Sequence, residues 1–201
     1  MSVLPRRAIL LALPALSGCA AIGALIPDDA LPTYDLAPVP GRTGARRSRV
    51  LAVPRPDAPA AIATDRILIK PDPLTVAYLP DARWSDEVPA LVQSLAIRSI
   101  AATGRIGHVG AADSGPIPDV ALLLRIDAFQ AEPAPDAATI PVRIALAATL
   151  VRDEDQSLLA SRNFTGEAMA ASDSPAAIIP AFQTAIAVIL PALADWTASQ
   201  V

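Results

Sequence analysis

Hydrophobic positions along this chain recur in two periods, and each period predicts its own kind of element. Val120, Leu122, Leu124, Ile126 and Ala128 alternate with Ala121, Leu123, Arg125, Asp127 and Phe129. Val142, Ile144, Leu146, Ala148 and Leu150 alternate in the same way with Arg143, Ala145, Ala147, Thr149 and Val151. Side chains of an extended chain point to opposite faces in turn, so a period of two predicts strands with one strongly apolar face. Their second faces carry small or mixed residues, which predicts a side that is partly covered or wet. The polar turn Asp153-Glu154-Asp155-Gln156 leads into a third strand, Leu158 to Phe164. Consecutive strands joined by short turns are most simply antiparallel.

The helical period appears twice. Ser85 is positioned as an N-cap with Asp86 and Glu87 in the first turn; Val88, Leu91, Val92, Leu95 and Ala96 then form a stripe that Gly104 ends. Ile97 and Ile100 lie off the stripe, so this helix is expected to be covered on two sides or to touch a partner. Ser174-Pro175 opens a second helix with a cap and a proline at its first position. Its stripe is Ile179, Phe182, Ile186, Ile189, Leu190, Leu193 and Trp196, with Pro180 and Pro191 expected to break or bend it. No charge falls between Ser174 and Ala194, which invites a membrane-spanning reading. Two prolines, Gln183, Thr184 and many alanines favour a core helix with one buried face instead.

Shorter apolar runs fill the first half. Tyr34-Asp35-Leu36 predicts a first strand and Val50 to Val53 a second, stopped by Pro54 and Pro56. Ile67 to Ile69 and Thr75 to Leu79 flank Pro71-Asp72-Pro73, the pattern of a hairpin. Arg42, Arg46, Arg47 and Arg49 crowd into the turn-rich piece between the first two strands. A solvated loop that protects a sheet edge accounts for them better than contact with anionic headgroups does. The sum is one α/β (α+β) domain over residues 33–199. It is expected to hold a mixed, largely antiparallel sheet with two main helices packed on one face. The wet face of such a sheet is the first candidate for docking a partner.

The first residues follow a different logic. Arg6 and Arg7 precede a short apolar run, Ala8 to Leu16, and Leu16-Ser17-Gly18-Cys19 ends it. A basic start, an apolar stretch and small residues make an export signal. A cysteine directly after Ser-Gly matches the bacterial lipobox, in which the thiol is acylated and the chain is cut before it. Nine apolar residues are far too few for a bilayer, which takes about 20. Residues 1–18 are therefore read as a lipoprotein signal peptide, Cys19 as the lipidation site and residues 19–32 as a lipidated tether. Ala20, where an aspartate would favour inner-membrane retention in enteric bacteria, leans towards the outer membrane.

Composition changes the picture in a few respects. Loss of Arg6 and Arg7 takes the formal charge from −4 to −6, an acidic balance that argues against nucleic acid. Cys19 is the one cysteine, so no internal disulfide staples the fold. With 21 prolines but 53% hydrophobic residues, the chain has the material for a packed core.

The order Tyr34-Asp35-Leu36, hairpin, Tyr78-Leu79, Arg83-Trp84, helix, strand meander and a last helix ending near Trp196, all after a lipobox, resembles the ABC-type transport auxiliary lipoprotein family (PqiC/YmbA-like). That resemblance implies a periplasmic-facing lipoprotein working with an MCE-domain protein, an ABC permease and an ATPase to move phospholipid or another apolar substrate between membranes. It also implies assembly as a homo-oligomer, and it makes Tyr78, Arg83 and Trp84 candidate partner contacts.

Catalytic chemistry is thin. His108 is the one histidine, and no nucleophile-elbow motif accompanies it. Zinc would need more His or Cys ligands than the chain holds. Gly104, Gly107 and Gly110 lack the Lys-Ser/Thr of a phosphate loop. A non-catalytic protein without cofactor is expected. The competing class is an outer-membrane lipoprotein that activates a cell-wall synthase, although such proteins usually carry a longer tether.

Overall fold

The alternating run that begins at Val120 is the strand on which the sheet is assembled. The structure, a computed structural model, describes residues 31–113, 115–134 and 138–201. The expected signal peptide 1–18, the expected lipidation site Cys19 and nearly all of the expected tether therefore lie outside the described residues. The elements are β1 Thr33–Tyr34, β2 Arg47–Val53, β3 Arg66–Ile69, β4 Ala77–Trp84, α1 Val88–Ala101, β5 Ile106–Ala111, β6 Val120–Ala131, β7 Ile140–Arg152, β8 Leu158–Ala170 and α2 Pro175–Gln200. Among the described residues the eight strands form one curled mixed sheet.

On one side of β6 the long meander is antiparallel, with Ile126 opposite Leu146 and Leu146 opposite Phe164. The other side of β6 is tiled by three short segments, all parallel to it. Leu51 and Ala52 of β2 lie beside Val120 and Ala121. Asp57 bridges to Arg125, its N–H donating to Leu124 O and its carbonyl accepting from Ile126 N. Leu68 and Ile69 of β3 then lie beside Gln130 and Ala131. Beyond them β5 joins β2 in parallel, β4 joins β3 antiparallel, and β1 joins β4 in parallel. The predicted hairpin is thus present, as are the meander and the mixed sheet with two helices on one face.

Several local expectations need correction. The first strand is Thr33–Tyr34, and Leu36 instead plugs the core at 2% exposure. Ser85 does not cap α1: it still continues the β1–β4 pairing, its N–H donating to Tyr34 O, and the helix begins two residues later than an N-cap at Ser85 requires. Glu87 is the N-cap residue and Pro89 occupies the first turn, while the Glu87 carboxylate pairs with Arg55. Gly104, at φ +66°, does end the helix as expected, its N–H donating to Ala101 O. The alternation in β6 inverts at a register shift between Ile126 and Ala128, so Phe129 comes to face Ile144 and joins the core. Arg47 and Arg49 belong to β2 and not to a loop.

Pro180 and Pro191 do not break α2, which runs as one helical span over 26 residues. An interior proline costs about 3 kcal/mol. Ile178, Phe182, Ile186, Ile189, Leu190 and Leu193 are all at most 1% exposed, and each buried side chain of this kind contributes about 1.5–3 kcal/mol. Burial outweighs the backbone defect. The helix has the length and hydropathy of a membrane span, yet its apolar stripe is covered by β8, β7 and α1.

Candidate functional site

Tyr78, Arg83 and Trp84 lie on one strand, β4, and the fold sends them to three different surroundings. Trp84 is in the core at 1% exposure. Its ring meets Phe129 edge-on at 5.7 Å and Phe182 at 5.1 Å, and those two phenylalanines stack at 28°. A side chain enclosed by β6 and α2 cannot reach a partner, so Trp84 leaves the list of surface candidates. Neighbouring residues on a strand face opposite ways, and Arg83 accordingly points outward. Its Nε donates to Thr33 Oγ1 at 3.2 Å, and its Nη1 lies 4.0 Å from Asp65 Oδ2. It lines a shallow polar depression of about 500 Å³ with Asp65, Asp86 and Glu87.

Tyr78 sits near the other end of β4. Its hydroxyl donates to Ala61 O at 3.2 Å, and the Arg66 guanidinium carbon lies 4.0 Å from the ring centre. That stacking is favourable by about 0.5–1 kcal/mol at an exposed site. Tyr78 lines a separate apolar groove of about 430 Å³, together with Leu79, Pro80, Ile140, Pro175 and Ile178. The three candidates therefore do not converge on one site.

Most of the arginine cluster serves the fold. Asp195, near the end of α2, accepts from Arg42 N at 2.7 Å and Arg42 Nε at 3.0 Å, with Arg105 Nη1 at 3.4 Å. Burial pushes the Asp195 carboxyl up, but the Arg42 hydrogen bonds and the charges of Arg42 and Arg105 outweigh it and hold the pKa below its ordinary value. Arg46 donates to Gly107 O at 2.6 Å, and Arg49 meets Asp119 at 3.2 Å. Exposed pairs of this kind contribute about 0–1 kcal/mol each; the shared Asp195 ties the segment before β2 and the α1–β5 connection to α2 at one end. His108 is exposed and lies within β5 opposite Val50.

The face of the meander away from the helices is the larger open surface. It carries the Arg125–Asp127 pair at 2.7 Å, the Arg143–Glu167 pair at 3.8 Å, and half-buried Ala145, Ala147 and Thr149 between them. Leu123 is 43% exposed there. Sequence reasoning foresaw this face but missed the β3–β4 tip, where Leu74 is 95% and Val76 48% exposed. The signal was an apolar residue two positions after Asp72, inside a turn.

Comparison with known proteins agrees with this architecture. A 34% identical relative, an uncharacterized protein (bll6063) of Bradyrhizobium diazoefficiens, matches over 169 residues, 82% of this chain. The chain spans 44% of that relative's length. The crystal structure of protein XCC0632 from Xanthomonas campestris superposes with a TM-score of 0.75 at 25% identity, covering 84% of this chain and 95% of that one. Another crystal structure, of an uncharacterized protein, reaches 0.57 at 15% identity over 85% of this chain and 96% of its own, and supports the fold alone. The family model described as ABC-type transport auxiliary lipoprotein component matches residues 34–194, nearly all of the sheet and both helices, and the chain belongs to that family.

Proposed function

We propose that this protein is a lipid-anchored, non-catalytic docking subunit of an ABC-type system that moves phospholipid between membranes, working with an MCE-domain protein, a permease and an ATPase. Family membership over residues 34–194 carries the transport-auxiliary part of the reading. It also supports a cell-envelope location. The lipobox Leu16-Ser17-Gly18-Cys19 supports anchoring through Cys19, with residues 1–18 removed, 19–32 as tether and 33–199 as the working domain. Several acyl chains at about 0.8 kcal/mol per buried CH2 make such an anchor effectively permanent.

The mechanism is geometric. Lipid holds the domain at the membrane, with Ala20 favouring the outer one, and the open face of β6, β7 and β8 meets the MCE assembly in several copies. That face suits docking because its central strand β7 is paired on both edges while its side chains are small and mixed. Energy for transport comes from the ATPase. The test is extraction and pull-down: the tagged mature protein is expected to require detergent and to co-purify with the MCE partner, and Cys19→Ser to be released. A mature protein that never co-purifies, with Cys19→Ser exported and soluble, removes the transport role. No observation favours the cell-wall synthase alternative.

A further inference from the structure

The β3–β4 hairpin tip is built to hold apolar side chains out of the protein. Asp72 Oδ1 accepts the N–H groups of Leu74 at 2.8 Å and Thr75 at 2.9 Å, and Pro71 and Pro73 restrict the same turn. The turn is thereby ordered with Leu74 almost wholly in solvent and Val76 half out. Ala77, the next residue, begins the apolar groove that continues over Tyr78, Leu79 and Pro80. A rigid apolar tip continuous with an apolar groove marks an interaction surface.

Where the chain enters the domain indicates what covers it. β1 runs parallel to β4, with Thr33 opposite Arg83. Pro32 and Leu31, just before Thr33, therefore run back along β4 towards the tip. Ala77 to Arg83 is roughly 20 Å of strand, whereas the twelve residues from Cys19 to Leu31 extend up to about 40 Å. An acylated Cys19 in the bilayer thus lets the tip reach the membrane surface. Charge around the tip is of both signs, with Lys70 and Arg143 beside Asp72 and Glu132 and with Asp81 and Asp173 along the groove, a set that suits zwitterionic headgroups better than anionic ones.

We infer that the β3–β4 tip, through Leu74 and Val76, rests in the interfacial layer of the phospholipid bilayer that holds the anchor, and so sets the orientation of the domain. This inference rests on lipidation at Cys19.

The test uses the full lipidated chain in phosphatidylcholine vesicles with brominated acyl chains, which quench tryptophan at the membrane. Leu74→Trp and Leu158→Trp are both substitutions of exposed residues, the second at the start of β8 at the opposite end of the sheet. The emission added by Leu74→Trp is expected to be lost in brominated vesicles, and that added by Leu158→Trp to persist. If the protein co-floats with vesicles but Leu74→Trp is not quenched, the inference is overturned and the anchor stands. If the chain does not co-float, the anchor reading falls and takes the inference with it. A concentration-dependent blue shift of Leu74→Trp without vesicles assigns the tip to a second copy and also overturns it.

Discussion

Gly166 lies in the middle of β8, opposite Ile144, where α2 crosses the sheet at its closest. A Cβ at this position meets the Ala185 carbonyl oxygen at 2.1 Å, the carbonyl carbon at 2.9 Å and Ile189 Cγ1 at 3.1 Å. The oxygen belongs to helix backbone and cannot rotate aside, so α2 must withdraw by roughly 1 Å or β8 must buckle, an overpacking that costs about 1–3 kcal/mol. Gly166→Ala also removes a glycine from a strand interior, which by itself gains about 0.5–1 kcal/mol. The clash should dominate, because withdrawing α2 also loosens Ile186 and Ile189, both at most 1% exposed. A contact of 2.1 Å places the clash at the upper end of its range, about 3 kcal/mol, so the net expectation is a loss of about 2 kcal/mol, read as a melting temperature lower by roughly 4–8 °C at 2–4 °C per kcal/mol for a domain of this size. Thermal unfolding followed by far-UV circular dichroism measures it. A melting temperature equal to or above wild type refutes the close helix–sheet approach.

Gly104→Ala serves as the contrast: its Cβ meets nothing within 4 Å, and the strain at φ +66° alone should cost about 1 kcal/mol in the same assay. Trp84→Ala should cost about 3–5 kcal/mol in urea unfolding, as a large buried aromatic between Phe129 and Phe182 is lost. Trp84→Phe should retain more than half of that, since a ring stays in place; equal losses for the two variants would contradict the aromatic cluster. Asp195 has its pKa lowered in the folded state, so its contribution to stability is present above the ordinary carboxylate value and is lost as pH falls through the folded value. Asp195→Asn should therefore flatten the decline in melting temperature between neutral and strongly acidic pH, and a decline parallel to wild type would show that the Arg42–Asp195–Arg105 tie carries no linkage.

The meander and both helices were legible because their signals are local. Val142 to Leu150 alternates for nine residues, and the α2 stripe from Ile179 to Trp196 repeats over about five turns. The strand β5 was not legible: Ile106-Gly107-His108-Val109-Gly110-Ala111 has no alternation, and it is a strand because β2 lies beside it. The inversion at Ile126–Ala128, which moves Phe129 into the core, follows from pairing with β7 and leaves no mark in the hydrophobic pattern. The candidate contacts divided on the same ground. Arg83 and Trp84 are adjacent, and a strand sends one in and one out; the position of α2 determines which.

By itself the sequence determined the element types apart from β5, the long antiparallel ladders, the lipobox at Cys19 and the family resemblance, all of which are written in local spacing and order along the chain. Only the tertiary structure decided which face of β4 is buried, how β2, Asp57 and β3 share one edge of β6, and that Arg42 and Arg105 meet on Asp195. It also decided that Leu31 and Pro32 run back along β4 towards the tip carrying Leu74. The reason is physical: periodicity reports how a segment folds on itself, whereas edge pairing and face selection depend on residues far away in the chain, such as Arg42 and Asp195.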